Sequence, residues 1–179
     1  MLPLHYFHDP MLCADLILGS YQDFQITTDL HIRNAVPPDI ELIEDMIAAL
    51  CAFHNDTYQR NLDAIIRDVF GPQAGARVFF GERQATAVVF ALCYNEFGLH
   101  IGQRRLRVHL FYVDEAHRKT GAGRQMMQHL EKIAASEGAA ALVLGADLQN
   151  EAAQQAYLSM GFKRREYGGA QFIKVLEAD

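Results

Sequence analysis

The chain has 179 residues, half of them hydrophobic by an inclusive count, with 21% charged and a formal net charge of −6. That length suits one core, while interspersed charges and a mean hydropathy near zero exclude a disordered or bilayer-embedded chain, and no apolar run is long enough to cross a bilayer. The excess of carboxylates counts against a dedicated nucleic-acid binder, which needs Lys and Arg on phosphates, and is compatible with a cationic partner such as an amine.

Residues 1–28 differ from the rest. Pro3, Pro10 and Gly19 interrupt any long helix, so this stretch reads as an N-terminal extension that packs on the domain or on a second subunit, with one domain over residues 29–179. The first 32 residues hold no Lys or Arg, which a basic leader would need, and the expected location is cytoplasmic. Cys13, Cys51 and Cys93 are odd in number and widely spaced. They suggest neither a disulfide framework nor a metal site, and read as reduced thiols packed as small hydrophobes.

From Leu30 the pattern sharpens. Leu30-His31-Ile32-Arg33 alternates as a strand, and Pro37-Pro38-Asp39 then supplies a helix cap and a first-turn proline. Ile40, Ile43, Ile47 and Leu50 recur at helical spacing. A second helix is predicted over 62–70, stopped by Gly71-Pro72. Residues 77–80 and 86–94 read as a β-hairpin turning through Gly81-Glu82-Arg83-Gln84. Over 105–113 a strand alternates Leu106, Val108, Leu110 and Tyr112 against Arg105, Arg107, His109 and Phe111, and its apolar end looks centrally buried. Helix 121–136, strand 141–145, helix 151–160 and a strand from Phe162 follow. Hairpins first and alternating units afterwards imply an α/β architecture of the α+β type, a mixed sheet covered by helices.

The stretch with the clearest chemistry is Phe111-Tyr112-Val113-Asp114-Glu115-Ala116-His117-Arg118-Lys119-Thr120-Gly121-Ala122-Gly123-Arg124. An apolar strand leads through a polar loop into glycines that open an amphipathic helix, with Met126, Met127, Leu130, Ile133 and Ala134 as its apolar stripe. The first amides of a helix lack internal partners and sit at the positive end of its dipole, so they suit phosphate oxygens. Arg118, Lys119 and Arg124 add positive charge around them. The same glycines could instead tighten a turn or permit close packing. A Walker loop is excluded by the lack of Gly-Lys-Ser or Gly-Lys-Thr, and a dinucleotide fingerprint by the missing third glycine and the lack of an early βαβ unit.

Arg118-x-x-Gly121-x-Gly123 after an apolar strand resembles the pyrophosphate signature of the GNAT acyltransferases. Asn150-Glu151-Ala152-Ala153-Gln154-Gln155-Ala156-Tyr157-Leu158-Ser159-Met160-Gly161-Phe162 resembles that family's second signature, and the likeness runs over residues 30–176. It implies the GNAT fold, with a mixed, mostly antiparallel sheet of six to seven strands and about four helices. It also implies an N-acetyltransferase that uses acetyl-CoA and an amine acceptor, with a homodimer by family analogy. Coenzyme A would enter where the strand carrying Phe111, Tyr112 and Val113 splays from the strand at 142–145. Arg118, Lys119, Thr120, Gly121, Ala122, Gly123 and Arg124 would hold its diphosphate.

The resemblance gives further roles. The amide of Phe111 or Tyr112 would stabilise the oxyanion, Asn150 would bond the pantetheine arm, and Tyr157 would protonate the departing thiolate. Read from the residues alone, Asn150 suits a helix N-cap and Tyr157 a packed helix tyrosine. A fainter likeness to diamine and polyamine acetyltransferases lies in Leu50-Cys51-Ala52-Phe53-His54, Asp68-Val69-Phe70-Gly71 and Leu92-Cys93-Tyr94-Asn95-Glu96-Phe97. Where those enzymes place adjacent acidic residues, this chain has His109-Leu110 preceded by Arg107, a departure that counts against a polyamine substrate. His109 is a candidate base or relay, or a structural strand histidine. Glu96 and Asp56 are candidate amine-binding carboxylates or solvated surface groups. An acceptor on a protein, and a catalytically silent acyl-CoA sensor, are the competing functional readings.

Overall fold

The computed structural model describes residues 29–165, 172 and 174; the extension at 1–28 lies outside the described residues. Strand β1 (His31–Asn34) leads through a 3-10 turn into helix α1 (Ile40–His54). Asp39 stands at the N-cap of α1, but its carboxylate caps no first-turn amide. It accepts the Val36 N–H at 2.8 Å and pairs with Arg33 at 2.6 and 3.0 Å, fastening β1 to the start of the helix. Helix α2 (Leu62–Ile65) continues as a wider π turn over Ile66–Phe70 and ends at Gly71, where a Cβ would meet the Arg67 carbonyl oxygen at 2.5 Å.

Strands β2 (Ala76–Arg83), β3 (Thr86–Gly98) and β4 (Gln103–Val113) form an antiparallel meander beside β1, and β5 (Ala141–Leu144) joins β4 in parallel. Helix α3 (Ala122–Ser136) links β4 to β5, and α4 (Glu151–Ser159) follows. The α/β architecture, the four helices and the mostly antiparallel sheet agree with the GNAT expectation. The described sheet has five strands rather than six to seven. Residues 162–165 are not strand, because Gly161 takes φ 92° and the Phe162 N–H donates to the Tyr157 carbonyl, closing α4 in a C-terminal cap.

The hairpin turn also lies elsewhere. Gln84 and Ala85, with φ of 49° and 60°, make a two-residue turn of left-handed residues without glycine. Gly81 stays in β2 at a register shift, where a Cβ would strike the Leu30 side chain at 2.4 Å. The glycine leaves room for the Leu30 side chain to pack over β2.

One face of the sheet buries Ala91, Leu106 and Val108 against Met126, Met127 and Leu130 of α3. The other buries Val78, Phe80 and Phe90 against Ile43 and Met46 of α1 and Ile65 of α2. Each fully buried side chain of that size contributes about 1.5–3 kcal/mol, so the two faces together fix the helices on the sheet.

Candidate active site

β4 pairs with β5 only from Arg105↔Ala141 to Val108↔Leu144, yet runs on to Val113. Among the described residues, 109–113 therefore have a sheet neighbour on the β3 side alone, and a wedge opens where β5 would have continued. At the mouth of this wedge the β3–β4 register jumps from Cys93↔Val108 to Leu92↔Leu110, which leaves His109 as the extra residue of a bulge. The bulge changes the strand's faces. Leu106, Val108, Phe111 and Val113 pack toward α3, whereas Leu110 and Tyr112 pack toward α1. The unbroken alternation expected from sequence is thus corrected after Val108, because one inserted residue reverses the period of two. The four residues at the strand's end are half-buried rather than fully buried, since they wall an open cleft.

The backbone on that wall has a defined orientation. Asp114 N–H bonds the Val88 carbonyl at 2.9 Å, and antiparallel residues alternate between facing the partner strand and facing away. With Tyr112↔Phe90 and Leu110↔Leu92 in the same register, Leu110 and Tyr112 bond toward β3. Phe111 and Val113 turn their amides and carbonyls to the wedge. Of the two amides implied for an oxyanion, Phe111 has the orientation to act.

The loop after β4 is held by its own side chains. Asp114 accepts the Ala116 N–H at 3.1 Å and meets His117 Nδ1 at 3.0 Å, and the His117 contact draws its carboxyl below the usual range. Arg118 Nε donates to the Val113 carbonyl at 3.0 Å, while its guanidinium lies 4.3 Å over the Phe53 ring. It is therefore anchored rather than mobile, and tethers the C-terminal end of α1 to the loop. Thr120 Oγ1 donates to the His117 carbonyl at 2.6 Å and accepts from Arg83 at 2.9 Å. Lys119 and Gly121 take φ of 61° and 86°, and these left-handed steps turn the chain into α3.

The first intrahelical bond of α3 runs from Gln125 N–H to the Gly121 carbonyl, and no side chain caps the helix. The N–H groups of Ala122, Gly123 and Arg124 precede that bond and remain available to an anion. A Cβ on Gly123 would sit 3.3 Å from Val113 Cγ2, tighter than ordinary contact, and one on Gly121 would occupy open space beside the loop. Arg124 reaches the Ser159 hydroxyl at 3.1 Å and so joins α3 to α4.

Across the wedge, Asn150 Oδ1 accepts the Ala153 N–H at 3.0 Å and caps α4. Its NH2 group makes no hydrogen bond with the described residues. Tyr157, two turns along the helix, packs its ring on Phe162 with centroids 6.0 Å apart, and burial raises the pKa of its hydroxyl. His109 is exposed, with its ring 5.7 Å from that of Tyr94. Of the catalytic and cofactor-binding residues expected from sequence, all except Thr120 and Ala122 line one cleft of about 930 Å³, reaching from the start of α3 past the β4–β5 wedge to Leu50, His54 and Asp56 at the end of α1 and just beyond it.

Glu96 does not stand free: Arg107 and Arg105 both pair with it. Asp56 is on the cleft wall. Sequence reasoning missed Glu44, a carboxylate only 4% exposed that accepts the Tyr58 hydroxyl and the Asn61 N–H, fastening the α1–α2 connection. The signal was a charge on the apolar face of α1, four residues after Ile40 and three before Ile47. Cys93 is buried, which pushes its thiol up to about 12, while Cys51 lines the cleft. Among the described residues no group of three or more His, Cys, Asp or Glu is arranged around a metal position, and no helix is long and apolar enough to cross a membrane.

The free amides, the open ground beside Gly121 and the strand edge at Phe111 and Val113, where only the Val113 carbonyl is engaged, by Arg118, fit a nucleotide thioester with a diphosphate and an amide-bearing arm. Solved structures share the fold. An aminoglycoside acetyltransferase from an uncultured soil metagenomic sample, in complex with sisomicin, superposes with a TM-score of 0.69 at 15% identity over 83% of this chain and 97% of that one. An integron cassette protein from the mobile metagenome of V. cholerae gives 0.65 at 21% over 80% and 93%. A transcriptional regulator from Bacillus halodurans C-125 gives 0.68 at 18% over 81% and 100%. No curated protein sequence matches the chain. The model of the Acetyltransferase (GNAT) family matches residues 43–162, which takes in both halves of the cleft, and the chain therefore belongs to that family of acyltransferases.

Proposed function

We propose that this enzyme moves an acetyl group from acetyl-CoA to a primary amine of a small molecule by direct attack within a ternary complex. The observation that carries this reading is the single cleft joining uncapped helix amides, an unpaired strand edge and a half-buried tyrosine. Residues 29–179 form the acetyltransferase domain in this reading.

Acetyl-CoA supplies an acyl group already activated as a thioester. The amides of Ala122, Gly123 and Arg124 receive its diphosphate, with Lys119 adding charge at the rim and Arg118 holding the loop in shape. The edge at Phe111 and Val113 pairs with the amides of the pantetheine arm, and the free NH2 of Asn150 is a further donor to it. Phe111 N–H also offers a donor to the acyl oxygen as negative charge gathers there. Tyr157, kept protonated by its burial, hands a proton to the departing sulfur. An attacking amine must be neutral, and His109 at the bulge takes its proton directly or through water.

Free-thiol release from acetyl-CoA, measured with purified protein over a panel of small amines and lysine peptides, tests the reading. Turnover with small amines that is abolished by Tyr157→Phe, at retained acetyl-CoA binding, supports it. A parent protein that binds acetyl-CoA but acetylates nothing in the panel supports the silent sensor instead, and preference for peptides supports a protein acceptor.

A further inference from the structure

The part of the cleft beside the His109 bulge is cationic on an acidic protein. Arg107 lies two residues before the His109 bulge and lines the cleft. Glu96 faces Arg105 across the β3–β4 ladder and is shared between Arg105 and Arg107, so that trio keeps one positive charge in excess. Arg107 spends only its Nε on Glu96. Its two terminal nitrogens make no hydrogen bond with the described residues, and they form the end of a planar fork whose orientation Glu96 already fixes. Two parallel N–H groups of that kind match a carboxylate in a bidentate pair.

The other charges on the cleft agree with this. Its only lining carboxylates among the described residues are Asp56 and Asp147, and Asp147 lies on the opposite wall, where it accepts the Gln149 N–H at 2.6 Å. His54, His109 and His117 line the same space. A polycation entering here would meet Arg107 and three imidazoles, with Asp56 as the one lining carboxylate that makes no side-chain hydrogen bond or ion pair among the described residues.

Resting on the acetyl-transfer reading above, we infer that the acceptor is an amine that also bears a carboxylate, an amino acid or a close relative, seated with its acid on the free fork of Arg107 and its amine toward His109. Glu96 is then a positioning residue, which aims the guanidinium without touching the acceptor. Charge selection, not cleft size, sets the substrate class.

The test is steady-state kinetics with chain-length-matched acceptors: 4-aminobutanoate, butylamine and 1,4-diaminobutane, with the α-amino acids as a second set. The carboxylate-bearing amines should be acetylated with the highest kcat/KM. Arg107→Gln should raise their KM by about 10-fold or more, as loss of a charged bidentate pair does, while KM for acetyl-CoA stays as it was. Arg107→Lys, which keeps the charge but not the fork, should recover only part of the loss. Preference for the diamine, an equal rise in KM for every acceptor in Arg107→Gln, or no turnover of any carboxylate-bearing amine would overturn the inference. The first two outcomes leave acetyl transfer intact, whereas failure to bind acetyl-CoA would remove both.

Discussion

Val108 pairs with Leu144 and is the last residue of β4 to do so. The next residue, His109, is the bulge, and the strand beyond it turns Phe111 and Val113 toward open space. Two events that weaken a sheet, a bulge and an abandoned edge, coincide within one residue. The edge left there faces the open cleft, with the Phe111 N–H and carbonyl and the Val113 N–H directed away from β3, which is the structural basis for reading the wedge as a site for an amide-bearing ligand.

Tyr157→Phe tests the proton donor. Loss of a general acid should lower kcat by about 100-fold or more, with acetyl-CoA affinity held. Because burial raises the pKa of this hydroxyl, the donor stays protonated through neutral pH. Any alkaline fall in kcat assigned to it should lie above the ordinary tyrosine value of about 10. A Phe variant with parental kcat would remove Tyr157 from the chemistry.

Gly123→Val tests the close approach of backbone to ligand. Its Cβ would begin 3.3 Å from Val113 Cγ2 and 3.7 Å from the Phe111 ring, so a branched side chain there must push the start of α3 away from β4. Calorimetry should show acetyl-CoA binding weakened by about 10-fold or more, equivalent to about 1.4 kcal/mol. Unchanged affinity would mean that the diphosphate sits elsewhere.

Leu130→Ala tests the core under the site. Leu130 is fully buried between α3 and the sheet, and removing its side chain should cost about 2–5 kcal/mol in chemical denaturation. A loss below 1 kcal/mol would show a face that repacks easily, contrary to the burial described.

The pairing of Arg33 with Asp39 predicts an acid limb in stability. The guanidinium lowers the Asp39 pKa, with the Val36 N–H adding to the effect. A carboxyl whose native pKa lies below its unfolded value contributes its full stabilisation above the unfolded value, near 4, and loses it as pH falls through the lower native value. Asp39→Asn should therefore cost about 1–2 kcal/mol at neutral pH and flatten the fall in melting temperature on acidification. An equally steep acid limb in the variant would assign that limb to other carboxylates.

Much of this was legible in the residues. Helical spacing from Ile40 to Leu50, the Gly71-Pro72 stop and the stripe from Met126 to Ala134 located three helices, because burial on one face leaves a 3.6-residue period. The two signatures placed Gly121, Gly123 and Tyr157 on a common cleft. The bulge at His109 was not legible, since it carries no glycine and depends on β3 register. The Gln84–Ala85 turn was hidden for a similar reason: both residues take left-handed φ without the usual Asn or Gly, so Gly81 drew the turn to itself. Glu96 read as an amine-binding carboxylate or a solvated group, because its two arginine partners sit across a ladder that the sequence does not reveal.

The most direct measurement is titration calorimetry with acetyl-CoA, coenzyme A and pantetheine on the parent protein. If the α3 amides hold the diphosphate beside the β4 wedge, both nucleotide forms should bind with measurable heat, and pantetheine, which lacks the diphosphate, should bind at least about 100-fold more weakly. No heat with acetyl-CoA, or equal affinity for pantetheine, would contradict the assignment.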